Sequence, residues 1–379
     1  MGDAGTVERL RVLVLFGGRS AEHEISCLSA ANVLDALDLD RYDVVRVGIT
    51  REGRWTLAER VPDAPPGGLP EVDDDGDTVA LVRNRKAAHL VRFPANGAPG
   101  AGAADLGPVD VCFPVLHGPY GEDGTVQGLL ASHGVPYVGA DVASSAVGID
   151  KRQMKNVFTA KGLPQVPYLA VRRAAWEGDR AAVLHAVEAR LSYPVFTKPS
   201  RQGSSIGIRK CRSRDELVDG IEEAFGYDRV AIVEHGVEGG RELECAVLGN
   251  TDVEVTPPGE VRTAHEFYDF EGKYLDESLR LDCPAHVGED VQRRCQQLAR
   301  DAYDAIGCRG MARVDFFYLE DAPSGEQVLL NEINTIPGFT AASMFPYAWS
   351  TQGLEAPALV DRLLALALES GRRDARYAP

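Results

Sequence analysis

Apolar residues in this chain fall into short runs, separated by stretches with helical spacing. Arg11–Phe16 is an apolar strand that runs into Gly17 and Gly18. Ser20 then reads as an N-cap, with Glu22 and Glu24 in the first turn of a helix. That helix continues to about Leu37, and Ile25, Leu28, Val33, Leu34 and Leu37 form its buried stripe. Asp43–Ile49 is the next strand. Strand, glycine turn, helix and strand in succession predict an α/β sheet whose ligands bind beyond the strand C-termini. Val109–Leu116 and Val135–Val138 resume the same pattern around a helix over Thr125–His133. His117 sits at the strand C-terminus in the glycine-rich loop HGPYGEDG, either capping a turn or touching a substrate.

Between about Arg51 and Pro108 the pattern changes to Pro, Gly, Ala and Asp. It reads as a peripheral elaboration holding one small hairpin, Val79–Val82 with Ala88–Phe93. Lys151–Lys161 is a basic helix. Its Lys151 and Lys155 are either solvated or gathered for phosphate. The strand Val195–Lys198 leads into Ser200-Arg201-Gln202-Gly203-Ser204-Ser205 and a second strand, Ile206–Lys210. Backbone N–H groups of such a loop, flanked by Lys198, can cradle phosphates, and its length and hydroxyls suit a closing lid. The alternative is a plain hairpin turn. A helix over Asp215–Phe225 and a strand Val230–Glu234 follow, and Glu238–Glu242 opens the strand Leu243–Leu248. EFYDFEGKY, residues 266–274, lacks clean periodicity and reads as a loop that closes over a site. Helices over Asp290–Ile306 and Leu354–Glu369 precede a frayed tail from Arg372.

The stretch Gly310–Ser343 is the most informative. Met311–Leu319 is an apolar strand interrupted by Arg313 and Asp315. Val328–Ile333 is another, carrying Glu332 and followed by Asn334. Residues two apart in a strand share a face. If these strands pair, one guanidinium and three oxygen ligands meet at one spot. The bland reading is a half-exposed polar hairpin. The chemical reading is a hard cation such as magnesium held together with phosphates, since burying such charges without a ligand is costly.

Composition narrows the class. The length of 379 residues suits two or three domains. A net charge of −17 argues against a nucleic-acid partner. No apolar run approaches a membrane span, and no secretory leader pattern stands at the N-terminus. The seven cysteines are scattered without a C-x-x-C pair, which suits a reducing cytoplasm better than a zinc site or a disulfide framework. GGRSAEHE is neither the dinucleotide fingerprint nor a Walker loop.

Five ordered motifs, FGGRSAEHEIS, LHGPYGEDGTVQGLL, KPSRQGSSIGI, EFYDFEGKY and RVDFF…NEINTIPGFT, resemble those of the D-alanine–D-alanine ligase family of the ATP-grasp superfamily, over Leu10 to about Leu368. The resemblance implies an N-terminal α/β parallel-sheet domain over residues 1–146, with 51–108 as its elaboration. A central lid domain over 147–237 and a C-terminal catalytic domain over 238–379 would follow, with ATP between the last two. It implies ATP-dependent joining of two D-alanines through an acyl phosphate, for peptidoglycan precursors, in a cytoplasmic homodimer. D-Ala-D-Ser and D-Ala-D-lactate ligases are the related alternatives. By the same resemblance Asp315, Glu332 and Asn334 match ligands of two magnesium (or manganese) ions. Arg313 and the Gly338 N–H match the oxyanion-stabilising groups. Lys151, Lys198, Lys273 and Ser205 match phosphate contacts, Glu234 the adenine contact and Glu242 the ribose contact. Glu22 matches the acid that holds the first substrate's ammonium, joined by Ser204 and Tyr274 in a closing network. His117 lies near that substrate's carboxylate. Ser343, with Met344 beside it, matches the anchor of the second substrate. A tyrosine at 274 goes with an amine nucleophile. His235 stands where the family often has lysine.

Overall fold

The computed structural model describes residues 9–65, 68–95, 102–262, 280–323 and 325–377. The first sheet is built on β1 (Leu10–Gly17), flanked in parallel by β2 (Tyr42–Ile49) and β7 (Val111–Pro114). Residues Val12 to Phe16 are all fully buried, because helices cover both faces of a parallel sheet. Val12, Val14 and Phe16 pack with Cys27, Ala30 and Val33 of α1 (His23–Ala36). Leu13 and Leu15 pack on the other face with Val126 and Leu130 of α2 (Thr125–Ser132). The strand's twofold alternation thus divides its side chains between two cores.

Three expectations for this region change. Ser20 does not cap α1. Its hydroxyl donates to the His117 carbonyl (2.7 Å) and accepts from the Glu22 N–H (3.1 Å), so the helix begins later, at His23, after Glu22. Val135–Val138 forms only a single bridge, Tyr137 to Cys112. The region 51–108 holds more than the one hairpin expected of it. It supplies β3 (Trp55–Ala58), β4 (Thr78–Arg83), β5 (Ala88–Phe93) and β6 (Ala104–Pro108), which extend the sheet in the order β6-β5-β4-β3-β2-β1-β7. Its Val72 is buried against the turn that carries the first motif. The Val72 N–H donates to Nε2 of the fully buried His23 (3.0 Å), whose Nδ1–H donates to the Gly18 carbonyl (2.7 Å). A Cβ at Gly48 would lie 2.6 Å from Val72, so glycine there makes room for the brace.

The second sheet runs β10 (Arg209–Cys211), β9 (Val195–Pro199), β11 (Val230–His235), β8 (Tyr168–Arg172), all antiparallel. The strand expected from Ile206 starts later, at Arg209. Helix α7 (Arg214–Tyr227) covers this sheet with Leu217, Ile221, Ala224 and Phe225. Ser213 caps α7, and Asp215 and Glu216 favour its N-terminal dipole. The third sheet holds β15 (Arg280–Asp282), β14 (Gly259–Arg262), β12 (Arg241–Gly249), β16 (Gly310–Tyr318) and β17 (Val328–Asn334), with β13 (Glu254–Val255) on β12. Helix α8 (Glu289–Ala305) packs Cys295, Leu298, Ala302 and Tyr303 on one of its faces. The other face shares its core with the first sheet. Ala246, Leu248 and Met311 join Phe16 and Val33 there, with Phe345 of α9 (Met344–Thr351) and Leu359 and Leu363 of α10 (Ala356–Asp374). Helix α10 outlasts the expected tail boundary, and Arg309 pins its end through Asp374 (2.7 Å). All seven cysteines are free thiols. Among the described residues no helix is long and apolar enough to cross a membrane.

Candidate active site

Strands β16 and β17 pair antiparallel, with Arg313 opposite Asn334 and Asp315 opposite Glu332. On the other side β12 places Glu244 opposite Asp315. Arg313 donates both Nε–H and Nη2–H to Asp315 (2.7 and 2.6 Å), and its Nε lies 3.1 Å from Glu244. Burial pushes the guanidinium toward the neutral form, but Asp315 and Glu244 outweigh it and hold its pKa well above the ordinary value. Asp315 and Glu244 are both buried, which rules out a solvated hairpin face. The pairing slips after Asp315, because Phe316 faces Leu330 while Asp315 faces Glu332. Asn331 is the extra residue of this bulge, and bulges re-aim side chains. Consecutive Asn331 and Glu332 therefore both line the cleft while Leu330 stays in the core.

That cleft, about 770 Å³, lies between the second and third sheets and includes Phe196, Lys198, Ser205, Glu234 and Glu242. Lys151, the first residue of α4 (Lys151–Ala160), donates to the Gln202 carbonyl (2.8 Å) and lies 3.3 Å from Glu332. Lys198 pairs with Glu234 (2.6 Å), and Lys155 lies 3.1 Å from the other oxygen of the same carboxylate. Both Lys151 and Lys155 are buried, so the solvated reading of these lysines does not hold. Burial alone would raise the Glu234 pKa, yet Lys155 and Lys198 hold it at about 2. Burial lowers the Lys155 pKa, while for Lys198 the attraction of Glu234 outweighs burial and the pKa rises. Glu332 also acts on both lysines, and Glu242 on Lys198, so the cluster is a network of lysines and carboxylates in a buried place.

A smaller cavity of about 90 Å³ adjoins the cleft, bordered by Glu22, His117, Lys151, Arg313, Gly338 and Ser343. Glu22 is 7% exposed and accepts a hydrogen bond from the Ser204 hydroxyl, which joins the first sheet to the loop after β9. Ser204 and Ser205 both have left-handed backbones (φ 45° and 58°), a strained conformation for residues bearing a Cβ. A Cβ on Gly203 would lie 2.6 Å from Glu22 Oε2, so only glycine permits this approach. His117 is a brace as well as a lining residue. Its Nδ1 meets the Ile336 carbonyl (3.1 Å) and its Nε2 the Ser29 hydroxyl (3.0 Å). Burial lowers its pKa, but the nearby Glu122 carboxylate (3.5 Å) outweighs it and leaves the pKa raised. Ser29 also accepts from the Phe339 N–H (3.1 Å), and Asn32 donates to the Phe339 carbonyl (2.9 Å), so α1 fixes the loop that carries Gly338. The Ser343 hydroxyl accepts from the Thr340 N–H (3.0 Å) and faces Gly338. Met344 is buried beneath Gly259. Lys273 and Tyr274 lie outside the described residues.

Sequence reasoning passes over Glu244, Gln202 and Asn331, and leaves Lys155 between a solvated and a phosphate-facing reading. For Glu244 a signal existed, because it lies two residues beyond Glu242 on the same strand face. Among the described residues no three His, Cys, Asp or Glu side chains form a metal cage by themselves. Asp315, Glu332 and Asn334 offer two carboxylates and an amide, an oxygen donor set that fits a hard cation sharing phosphate oxygens.

Two sheets closing on a lysine-lined cleft, with an arginine–carboxylate hairpin at its floor, define the ATP-grasp class. The chain belongs to the D-alanine–D-alanine ligase family. The family model "D-ala D-ala ligase N-terminus" matches residues 11–140 and "D-ala D-ala ligase C-terminus" matches 157–365. A D-alanine–D-alanine ligase of Kineococcus radiotolerans is 48% identical over 367 residues, 94% of this chain and 96% of the relative. One of Mycobacterium tuberculosis is 47% identical, covering 96% of each. Among solved structures, the D-alanine-D-alanine ligase of Coxiella burnetii matches with a TM-score of 0.78 at 32% identity, covering 98% of this chain and 97% of that one. A D-Ala:D-Ser ligase of Enterococcus faecalis matches at 0.77 and 34%, covering 95% of this chain and 100% of that one.

Proposed function

We propose that this chain joins two molecules of D-alanine into D-alanyl-D-alanine at the expense of ATP, releasing ADP and phosphate, as a step toward peptidoglycan precursors. The observation that carries the reading is the small cavity between Glu22 and Arg313, which opens into the lysine-lined cleft. One amino acid fits there with its ammonium at Glu22 and its carboxylate toward the phosphate end. Its carboxylate oxygen attacks the γ-phosphorus of ATP, ADP leaves, and an acyl phosphate forms. The amine of the second amino acid, its carboxylate at Ser343 beside Met344, attacks the acyl carbon and gives up a proton. Arg313 and the Gly338 N–H stabilise the oxyanion of the tetrahedral intermediate until phosphate departs. Lys151, Lys198, Lys273 and Ser205 contact the phosphates, Glu234 the adenine and Glu242 the ribose. Glu22, Ser204 and Tyr274 close the site over the first substrate, with His117 steadying its far wall. Asp315, Glu332 and Asn334 hold magnesium or manganese, which when bound neutralises phosphate charge.

Residues 1–146 serve the amino acid in this reading, and 147–237 and 238–379 grip the nucleotide. The protein works as a cytoplasmic homodimer. The test is phosphate release with ATP, magnesium and D-alanine, set beside D-alanine paired with D-serine or D-lactate. D-alanine alone is expected to drive release, and release no faster than without amino acid would sink the proposal. The D-Ala:D-Ser neighbour favours the second reading, and a preference for the mixed D-serine product would select it.

A further inference from the structure

The lid sheet carries a second charged cleft, lined by different residues from the ATP cleft. Strand β8 ends where β11 begins, with Arg172 paired to Val230, and β9 ends beside them, with Pro199 paired to Ala231. Arg172, Arg229 and Arg201 therefore stand together at one end of the sheet. Arg173 follows at the start of α5 (Arg173–Gly178), and Arg152 arrives from the first turn of α4. These five arginines line a cleft of about 480 Å³, in a chain whose net charge is −17. The acids in its wall are Asp150 and Glu177, with Asp228 just behind. Arg201 is bound to Asp228 through Nε and Nη2 (3.0 and 2.7 Å). Arg173 lies over the Phe225 ring (5.0 Å). Arg152 Nε is buried and has no acceptor among the described residues. The apolar residues of the cleft's lining are the small Ala174 and Val230, and Arg173 lies against the Phe225 ring. The cleft suits a compact, multiply charged anion rather than a base or an acyl chain.

We infer that this cleft binds a phosphate group, either free inorganic phosphate or a small phosphate monoester. Arg201 is engaged by Asp228, and Arg173 donates to the Phe225 carbonyl and lies 3.9 Å from Glu177, so Arg152, Arg172 and Arg229 are the groups on which the site depends. Guanidinium groups lining one cleft match phosphate oxygens, and such charge-assisted bonds are stronger than neutral ones. The site also abuts the catalytic machinery. Asp150, in its wall, caps α4 and accepts from the Ser200 hydroxyl (2.8 Å), while Lys151 next to it faces the ATP cleft. Arg201 belongs to the same loop as Ser204. An anion that relieves repulsion among the arginines steadies the base of that loop and lowers the KM for ATP, a consequence that rests on the ligase reading above.

The experiment titrates the full-length protein with inorganic phosphate and, separately, glycerol 3-phosphate by calorimetry, with the nucleotide cleft filled by saturating magnesium-ADP. Wild type and the variant Arg172→Gln/Arg229→Gln are compared. The expected result is a phosphate-binding event in the wild type that weakens by at least about tenfold in the variant, while magnesium-ADP affinity stays within about twofold. The stronger of the two probes tells free phosphate from a monoester. No binding in the wild type, or the same affinity in the variant, overturns the site. An unchanged KM for ATP with phosphate bound overturns the link to the loop. Failure of magnesium-ADP itself to bind would count against the ligase reading and leave the phosphate comparison legible.

Discussion

The sheet that holds Arg313 and the sheet that holds Lys198 are both antiparallel, yet they are fastened in different ways. Strand β16 is buried from both sides. Val314 and Phe316 sit in one apolar core, and Met311 sits in another that runs through to the first sheet. The lid sheet has a separate apolar cluster of its own, including Trp176, Leu217, Ile221 and Val233. Polar contacts tie it to the rest of the molecule. They include Ser204 to Glu22, Lys198 to Asn331 (3.4 Å) and one bridge from Gln165 to Leu330. A shared apolar core gains by area and resists separation, whereas a typical hydrogen bond nets only about 1 kcal/mol and can be exchanged for water. The groups assigned to the carbonyl chemistry thus stand on the shared core, Lys198 and Ser205 on the lid sheet and its loop, and Lys151 on α4, whose Met154 and Phe158 pack into the core of the third sheet.

Replacing Arg313 with Met tests the rigid side and carries the largest effect. Asp315 and Glu244 are left buried without their cation, so stability drops by about 3–5 kcal/mol, and kcat falls by about 10²–10³-fold. Denaturant melts and steady-state phosphate release measure the two. Ser204→Ala tests the hinged side. It removes one exchangeable bond, so KM for the first D-alanine rises by about tenfold while the melting temperature stays within about 1 °C. Equal destabilisation by the two variants would abolish the contrast between the regions. The smallest effect is a pH dependence at the joint between the first and third sheets. The folded pKa of His117 lies above its ordinary value of 6.5. Its contribution is therefore complete below that value and is lost as pH rises through the folded pKa. Wild-type melting temperature should decline over that window, and His117→Gln should flatten the decline; parallel curves would remove His117 from the joint.

Much of the site was legible because strand alternation is local. Arg313 with Asp315, and Glu332 with Asn334, share faces by spacing alone, and the pairing of β16 with β17 brings the two sets together. The lid loop was legible as a glycine- and serine-rich interruption. Asn331 was not, because in a regular strand it would point away from Glu332 into the core. Only the bulge turns it to the cleft. The brace from Val72 to His23 was equally hidden, because nothing near Val72 distinguishes it from the Pro- and Gly-rich chain around it.

The chain by itself determined which residues face together within each element, and it determined the ordered motifs that place it in its family. Those properties depend on periods of two and 3.6 residues and on short turns, which are written in neighbouring positions. Tertiary structure alone decided which elements meet. It set Glu244 of β12 against Arg313 of β16, Lys155 and Lys198 on one Glu234 carboxylate, and five arginines from four segments around one cleft. Strand register and sheet order join residues far apart in sequence, and the local pattern at either end carries no record of the partner.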